Sequence, residues 1–367
     1  MKTVFLQFVF SGALLFLTGC ASTEPMPIIN TGIKATIPET IDAYLDANQS
    51  ADEPSLSILV RKNGAVIYNR SKGMANKIAG QAINNQTSFR LASVSKPFVA
   101  LSIMQFYEQQ RISLEDSILI YLPELPSSWQ DITVHQLLTH SSGISDFLND
   151  LHLEAVFDDI TNQKVFHYFV KNDVLEFTPG SSSDYSNSGY LLLAEIIERI
   201  STEPFEDYML NHLFTPLGMN NSHIADESSL NQTNNALNYA ESNLLWGLNI
   251  FTNGSDGQVT SLDDMKMFVQ ALLEGSIVSH DTLNLMREIY SNLEQGNYGY
   301  GWFMGARYEN SFTAGGSMDG FESVLIIEPT IDLQYVALSN GGQTTSRHNA
   351  NIYALISEFY NPNNLVE

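Results

Sequence analysis

The sequence predicts an α+β fold: an antiparallel β-sheet built from both chain ends, sandwiched by flanking helices, with a helical subdomain inserted at about residues 114–274. Three observations predict it. Between Ser55 and Tyr68, two runs rich in β-branched and aromatic residues flank Asn63-Gly64, the strongest short hairpin signal. From Leu114 to about Glu274 the pattern is mostly helical, punctuated by Pro123, Pro126, Pro179-Gly180, Pro204 and Pro216-Leu217-Gly218. Strand-type runs then return at Tyr298 to Met304, Ser323 to Glu328 and Leu333 to Ser339. Strands at both ends with helices between them satisfy the layer rule if the ends pair with each other.

Taken in order, the 367-residue chain opens with Lys2, an apolar run from Val4 to Phe16, and Leu17-Thr18-Gly19-Cys20. A spanning helix needs about 20 apolar residues, so this segment reads as a secretory signal over residues 1–19. It resembles a bacterial lipoprotein signal, which makes Cys20 the expected lipid attachment site and the membrane an expected partner. Cys20 is the single cysteine, so no disulfide and no other thiolate chemistry is expected. Residues 20–37, with Ser22, Thr23, Pro25, Pro27, Asn30 and Gly32, lack periodicity and read as a tether; one domain is expected over 38–361. Ala21-Ser22 after Cys20 carries no inner-membrane retention Asp, which points to the outer membrane, facing the periplasm or cell surface.

Seventeen basic against 41 acidic residues give a formal charge of −24, spread along the chain, which argues against a nucleic-acid partner. Neither H-E-x-x-H nor a Gly-rich phosphate loop is present, and no metal or cofactor is expected.

The first helix of interest follows Phe89 to Leu91: Val99, Ile103, Phe106 and Tyr107 mark a buried face ending near Arg111. Further helices are expected at Val134 to Leu138, at Gly189 to Ile200 on Tyr190, Leu193, Ala194, Ile197 and Ile200, and at Leu262 to Leu273. Asn349 to Phe359 closes the chain, with Ile352, Leu355, Ile356 and Phe359 on one face.

Ser93 and Lys96 stand at the mouth of the first of these helices. Three residues apart, they share a face, so a neutral amine there can take the hydroxyl proton. About one such pair is expected by chance in a chain of this composition, and a snorkelling lysine is the ordinary alternative. Context supplies the weight: a mostly apolar helix forces a buried lysine to pair or to lose its proton.

Seven segments carry a resemblance. They are Phe89-Arg90-Leu91-Ala92-Ser93-Val94-Ser95-Lys96, Leu137-Leu138-Thr139-His140-Ser141-Ser142-Gly143, Phe177-Thr178-Pro179-Gly180, Tyr185-Ser186-Asn187-Ser188-Gly189-Tyr190, Pro216-Leu217-Gly218-Met219, Tyr300-Gly301-Trp302, and Gly315-Gly316-Ser317-Met318-Asp319-Gly320-Phe321. In this order they resemble the serine β-lactamase-related family of class C β-lactamases, D-alanyl-D-alanine carboxypeptidases and esterases, from about Ile37 to Tyr360. The resemblance implies a β-lactamase/transpeptidase-like fold and acyl transfer through Ser93. It implies Tyr185 as the residue sharing proton transfer with Lys96, the two titrating as a pair. Tyr290-Ser291-Asn292 and Tyr308-Glu309-Asn310 share the Tyr-x-Asn pattern without its neighbours and read as packing or loop residues. Asn187 is expected to bind a substrate carbonyl, to orient Lys96, or to cap the helix that follows.

Gly315, Gly316 and Ser317 are expected to bind substrate along a strand, the amides of Ser93 and Ser317 forming an oxyanion hole. Where the family carries Lys-Thr-Gly or His-x-Gly, this chain has Ala314-Gly315-Gly316. The missing cation disfavours substrates bearing a carboxylate and points to small uncharged esters or amides. β-Lactam or D-Ala-D-Ala peptide hydrolysis, and ligand binding without turnover, remain the alternatives. His140 is read as a turn or core residue, because no G-x-S-x-G elbow accompanies it. Asp319, His212 and His223 read as loop residues, and Trp302 as core.

Overall fold

The computed structural model describes residues 36–149, 159–226, 234–237, 249–305, 308–318 and 320–360. The expected signal segment, Cys20, nearly all of the tether and Asp319 lie outside the described residues. Helix α1 (Ile37–Asn48) opens the described chain with a capping box: Thr36 accepts from the Glu39 amide and Glu39 returns a bond to the Thr36 amide. Strands β1 (Leu56–Lys62) and β2 (Ala65–Lys72) form the expected hairpin. Asn63 at φ 51° and Gly64 at φ 73° supply the two left-handed positions that a two-residue turn of matching twist requires.

The remaining strands of the main sheet come from the other chain end: β3 (Ser291–Leu293), β4 (Gly296–Tyr298), β5 (Phe303–Met304), β6 (Phe312–Met318), β7 (Phe321–Glu328) and β8 (Leu333–Ser339). The order is β3-β4-β5-β6-β7-β8-β1-β2, antiparallel throughout, with β8 pairing β1 from Leu56↔Ser339 to Lys62↔Leu333. The sheet is therefore built from both ends, and the fold is mixed α+β as the pattern required.

Strand parity sorts the central residues into two cores. Leu59, Leu325, Ile327, Val336 and Leu338 join one large cluster with the inserted helices, whereas Ile58, Val60, Val324, Ile326, Tyr335 and Ala337 join a second with α1 and the closing helix. Helix α2 (Ser95–Glu108) is buried on nearly all sides, as a helix apolar all round must be. Helix α3 (Asn187–Ser201) begins at an N-cap formed by Ser186, helix α4 (Leu262–Leu273) has its predicted bounds, and α5 (Gln343–Phe359) starts six residues before the expected Asn349.

Two expectations are corrected. The run from Tyr298 to Met304 is not one strand: β4 stops at Tyr298 and the chain turns before β5. A Cβ on Gly301, at φ 85°, would lie 2.9 Å from the Ala100 Cβ and 3.1 Å from the Pro97 Cα. The turn packs bare backbone onto α2, which only glycine allows. The inserted block also carries short strands. Gln258–Ser261 pairs with Ser88–Arg90 and His223–Ile224, and Asp159–Thr161 runs parallel to Asn249–Phe251.

Candidate active site

Ser93 sits in a 3-10 turn, Ala92–Val94, that leads from the short strand Ser88–Arg90 into α2. Ala92 holds φ 47°, a left-handed conformation that costs a non-glycine residue about 1–3 kcal/mol and is kept only where the surroundings enforce it. The enforcement is visible on Leu91, just upstream. Its amide donates to Gln258 O at 2.8 Å, and its carbonyl accepts from the Val94 amide at 3.2 Å and from Ser323 Oγ at 2.5 Å. The turn is thus pinned to β7 on one side and to the Gln258–Ser261 strand on the other.

One helical turn along, Lys96 is 1% exposed. Its Nζ donates to Ser93 Oγ at 3.0 Å, Asn187 Oδ1 at 2.7 Å and the Ser255 carbonyl at 3.0 Å. Three acceptors match the three N–H bonds of an ammonium. The Tyr185 ring lies beside this group, with Nζ 4.8 Å from its centroid, and Tyr190 contributes a second ring at 5.7 Å. Tyr185 is held by contacts with His140, Tyr298 and Phe303, at ring separations of 4.5, 6.3 and 6.1 Å.

Asn187 is the first residue of α3, and Ser186 is the cap. The capping alternative for Asn187 is therefore overturned; its side chain bridges Lys96 and Asp146 instead, with Nδ2 donating to Asp146 Oδ2 at 2.8 Å.

His140 grips the same segment. Its carbonyl accepts from the Asp184 amide at 2.9 Å, and its Nδ1 accepts from the Ser186 amide at 3.1 Å. An accepting Nδ1 makes Nε2 the protonated nitrogen of a neutral ring, and Nε2 has no hydrogen-bond partner among the described residues. Complete burial, reinforced by the nearby Lys96, holds this imidazole well below its ordinary range.

Strand β6 brings the last element. Gly316 meets the turn that carries Ser93 backbone to backbone: a Cβ there would fall 2.2 Å from Leu91 O and 2.9 Å from the Ser93 amide nitrogen. At Gly315, on the opposite side of the strand, a Cβ would meet nothing within 4 Å. The Gly305 amide donates to Ser311 O at 2.8 Å, so Ser311, Thr313, Gly315 and Ser317 turn their backbone groups toward the β5 side. Thr313 is the last of these paired with β5, through Phe303. Phe303 is the first residue of β5, so Gly315 and Ser317 lie past the start of that strand. The Ser317 side chain points to the other face and donates to Glu322 Oε1 at 2.7 Å. Ala314 is buried against the large core, with no cation in its place.

The structure thus gathers Ser93, Lys96, Tyr185, Asn187 and Gly316, while the Ser317 side chain turns away to Glu322. Tyr290 stacks on Tyr300 at 4.4 Å and Tyr308 occupies a turn; Trp302 is fully buried against Phe312. His212 and His223 are not the loop residues expected: His212 lies in the helical segment Leu210–Phe214 and pairs with Glu203, and His223 lies in a two-residue strand. Sequence reasoning missed Asp146, Ser255 and Asp256. The glycines around Gly254-Ser255-Asp256-Gly257 announce a tight turn, but nothing local announces that it closes over Lys96.

The beta-lactamase family profile matches residues 39–358. Penicillin-binding protein 4* of Bacillus subtilis is 34% identical over 176 residues, covering 46% of this chain and 37% of that protein. Protein flp of Staphylococcus aureus is 25% identical over 322 residues, covering 82% of this chain and 63% of its own length. The chain therefore spans less than two thirds of these curated relatives. Among solved structures, the octameric penicillin-binding protein homologue from Pyrococcus abyssi superposes with a TM-score of 0.73 at 25% identity, over 88% of this chain and 76% of that one.

Proposed function

Because this chain belongs to the beta-lactamase family, whose members are serine hydrolases, we propose that it hydrolyses small uncharged esters or amides through an acyl-enzyme on Ser93. The observation that carries the proposal is the 3.0 Å contact between Lys96 Nζ and Ser93 Oγ inside a buried cage. Ser93 Oγ bonds to the substrate's carbonyl carbon as its proton passes to the coupled Lys96–Tyr185 pair. The amides of Ser93 and Ser317 receive the oxyanion. The carbon–oxygen or carbon–nitrogen bond then breaks, and the pair returns the proton to the leaving alcohol or amine. Water repeats the sequence on the acyl-enzyme and releases Ser93.

Ala314 decides the substrate class. A buried methyl group stands where a lysine or histidine would meet a carboxylate, so nothing there compensates the desolvation of an anionic substrate. The second reading, cleavage of β-lactams or D-alanyl peptides, is favoured by the penicillin-binding names of the relatives.

A fluorophosphonate probe is expected to label the wild-type protein and not Ser93→Ala, with hydrolysis of a p-nitrophenyl ester lost in parallel. Equal labelling of both would remove the assignment, and absence of turnover on esters, amides and β-lactams would leave a binding protein. Nitrocefin turnover faster than ester turnover would select the second reading. We place the protein at the outer membrane through a lipid on Cys20. Metabolic incorporation of an alkynyl fatty acid, absent in Cys20→Ser, tests that part.

A further inference from the structure

We propose that two buried carboxylates, Asp146 and Asp256, are positioning residues that place counter-charges near Lys96 and aim its Nζ at Ser93, each acting through a neutral oxygen that the amine touches. The inference deepens the hydrolase reading and rests on it for its kinetic consequence only.

The oxygens around Lys96 Nζ belong to Ser93, Asn187 and the Ser255 backbone, and none carries a formal charge. An ammonium buried among neutral groups costs several kcal/mol unless a counter-charge lies close. Asp146 and Asp256 supply it, one through Asn187 and the other through Ser255, at 4% and 5% exposure. Asp146 Oδ2 accepts from the Asn187 amide at 2.9 Å and from Asn187 Nδ2 at 2.8 Å; its Oδ1 accepts from the Leu148 amide at 2.9 Å. All three donors are N–H groups, which favour the ionised carboxyl. Asn187 therefore gives its N–H bonds to an anion while its Oδ1 takes one from a cation, an alignment in which each bond strengthens the next.

The other arm is the turn from Thr252 to Gly257. Ser255 offers its carbonyl to Lys96 and its hydroxyl to Asp256 Oδ1 at 3.3 Å, and Thr252 Oγ1 donates to the same oxygen at 2.6 Å. Gly254 at φ 92° and Gly257 at φ 84° let this loop wind around its own carboxylate; a Cβ would fall 2.2 Å from Tyr190 O at the first and 2.4 Å from Thr252 O at the second. Asp256 is the internal knot of the loop that aims the Ser255 carbonyl.

The Tyr185 and Tyr190 rings and the neutral His140 also face Lys96. Arg90 also attracts Asp256. Burial pushes both carboxyls up, and Lys96 pulls both back down.

The test compares wild type with Asp256→Asn, Asp146→Asn and Thr252→Val. The Lys96 titration is followed by NMR on protein carrying 13C-lysine, with the resonance assigned by its loss in Lys96→Arg. Each Asn variant removes one anion and is expected to move the Lys96 titration acid by about one unit; the pH limb of fluorophosphonate labelling shifts with it. Thr252→Val keeps the charge and is expected to slow labelling without moving the titration. An unmoved titration in both Asn variants, with labelling slowed equally at every pH, would make the carboxylates packing residues and overturn the proposal. A shift in only one variant would overturn the paired arrangement. Should Asp146→Asn fail to fold in a thermal melt, Asp256→Asn decides alone. If wild type is not labelled at all, the hydrolase reading fails, and the NMR titration still decides the positioning.

Discussion

On the front of the sheet, β6 and β7 present Ala314, Gly316 and Ser323 to the turn that carries Ser93; on the back, the same strands present Ser317, Glu322, Val324 and Ile326. The front gives up side-chain volume so that one backbone can touch another, placing the Ser93 amide against β6. The back packs Val324 and Ile326 into an ordinary apolar core beneath α1 and α5. A single pair of strands can serve both purposes because successive residues point to opposite faces. The front is shaped by where backbone atoms meet, the back by what the alternate side chains bury.

Substitutions that exchange the properties of the two faces test this contrast. The largest effect is expected from Gly316→Val, whose Cβ would fall 2.2 Å from Leu91 O. β6 must then retreat from the turn that carries Ser93, costing about 3 kcal/mol in a urea melt and, on the proposed mechanism, more than about 100-fold in ester hydrolysis. Wild-type activity in this variant would show that the close approach does not matter.

Next comes Glu322→Gln, on the back. Burial pushes the Glu322 carboxyl from 4.5 up to about 7. The folded state therefore binds this proton more tightly than the unfolded state does, and stability falls as pH rises from about 4.5 to about 7, by at most about 3 kcal/mol. Glutamine removes that slope, so the variant's advantage in Tm is expected to grow between pH 5 and pH 8, while the rate per labelled Ser93 stays within about twofold. An equal Tm difference at both pH values would mean that Glu322 does not titrate there.

Ala314→His fills a buried position on the front and is expected to cost about 1–3 kcal/mol by overpacking. It should also raise turnover of carboxylate-bearing substrates relative to neutral esters; an unchanged ratio would show that this position does not select substrate. The smallest effect belongs to Gly315→Ala, where the added methyl meets open space. Its stability is expected within about 0.5 kcal/mol of wild type, and a loss as large as that of Gly316→Val would break the distinction between the faces.

Much of this was legible in the sequence because the signals were local. Asn63-Gly64 specified a turn, the apolar run of α2 specified burial, and Ser93 and Lys96 share a helical turn whatever surrounds them. The interruption between β4 and β5 was not legible. Tyr298 to Met304 has strand composition, and the glycines that break it answer to Met286 and Pro97 in other elements. Asp146 and Asp256 looked like two of many acidic residues; their burial and their partners 41 and four residues away appear only once the chain is folded.

By itself, then, the sequence determined the β1–β2 hairpin, the strands β7 and β8, the helices α2, α3 and α4, which ends must pair, and which serine and lysine share a face. Those properties arise from periodicity and from contacts a few residues long. Tertiary structure alone decided that the Ser317 side chain leaves for the back, since parity on a strand has meaning only once the sheet has two covered faces. It also decided that the Ser255 carbonyl, 159 residues from Lys96, completes the cage around the amine. A backbone carbonyl has no side-chain identity to read, and only packing sets where it points.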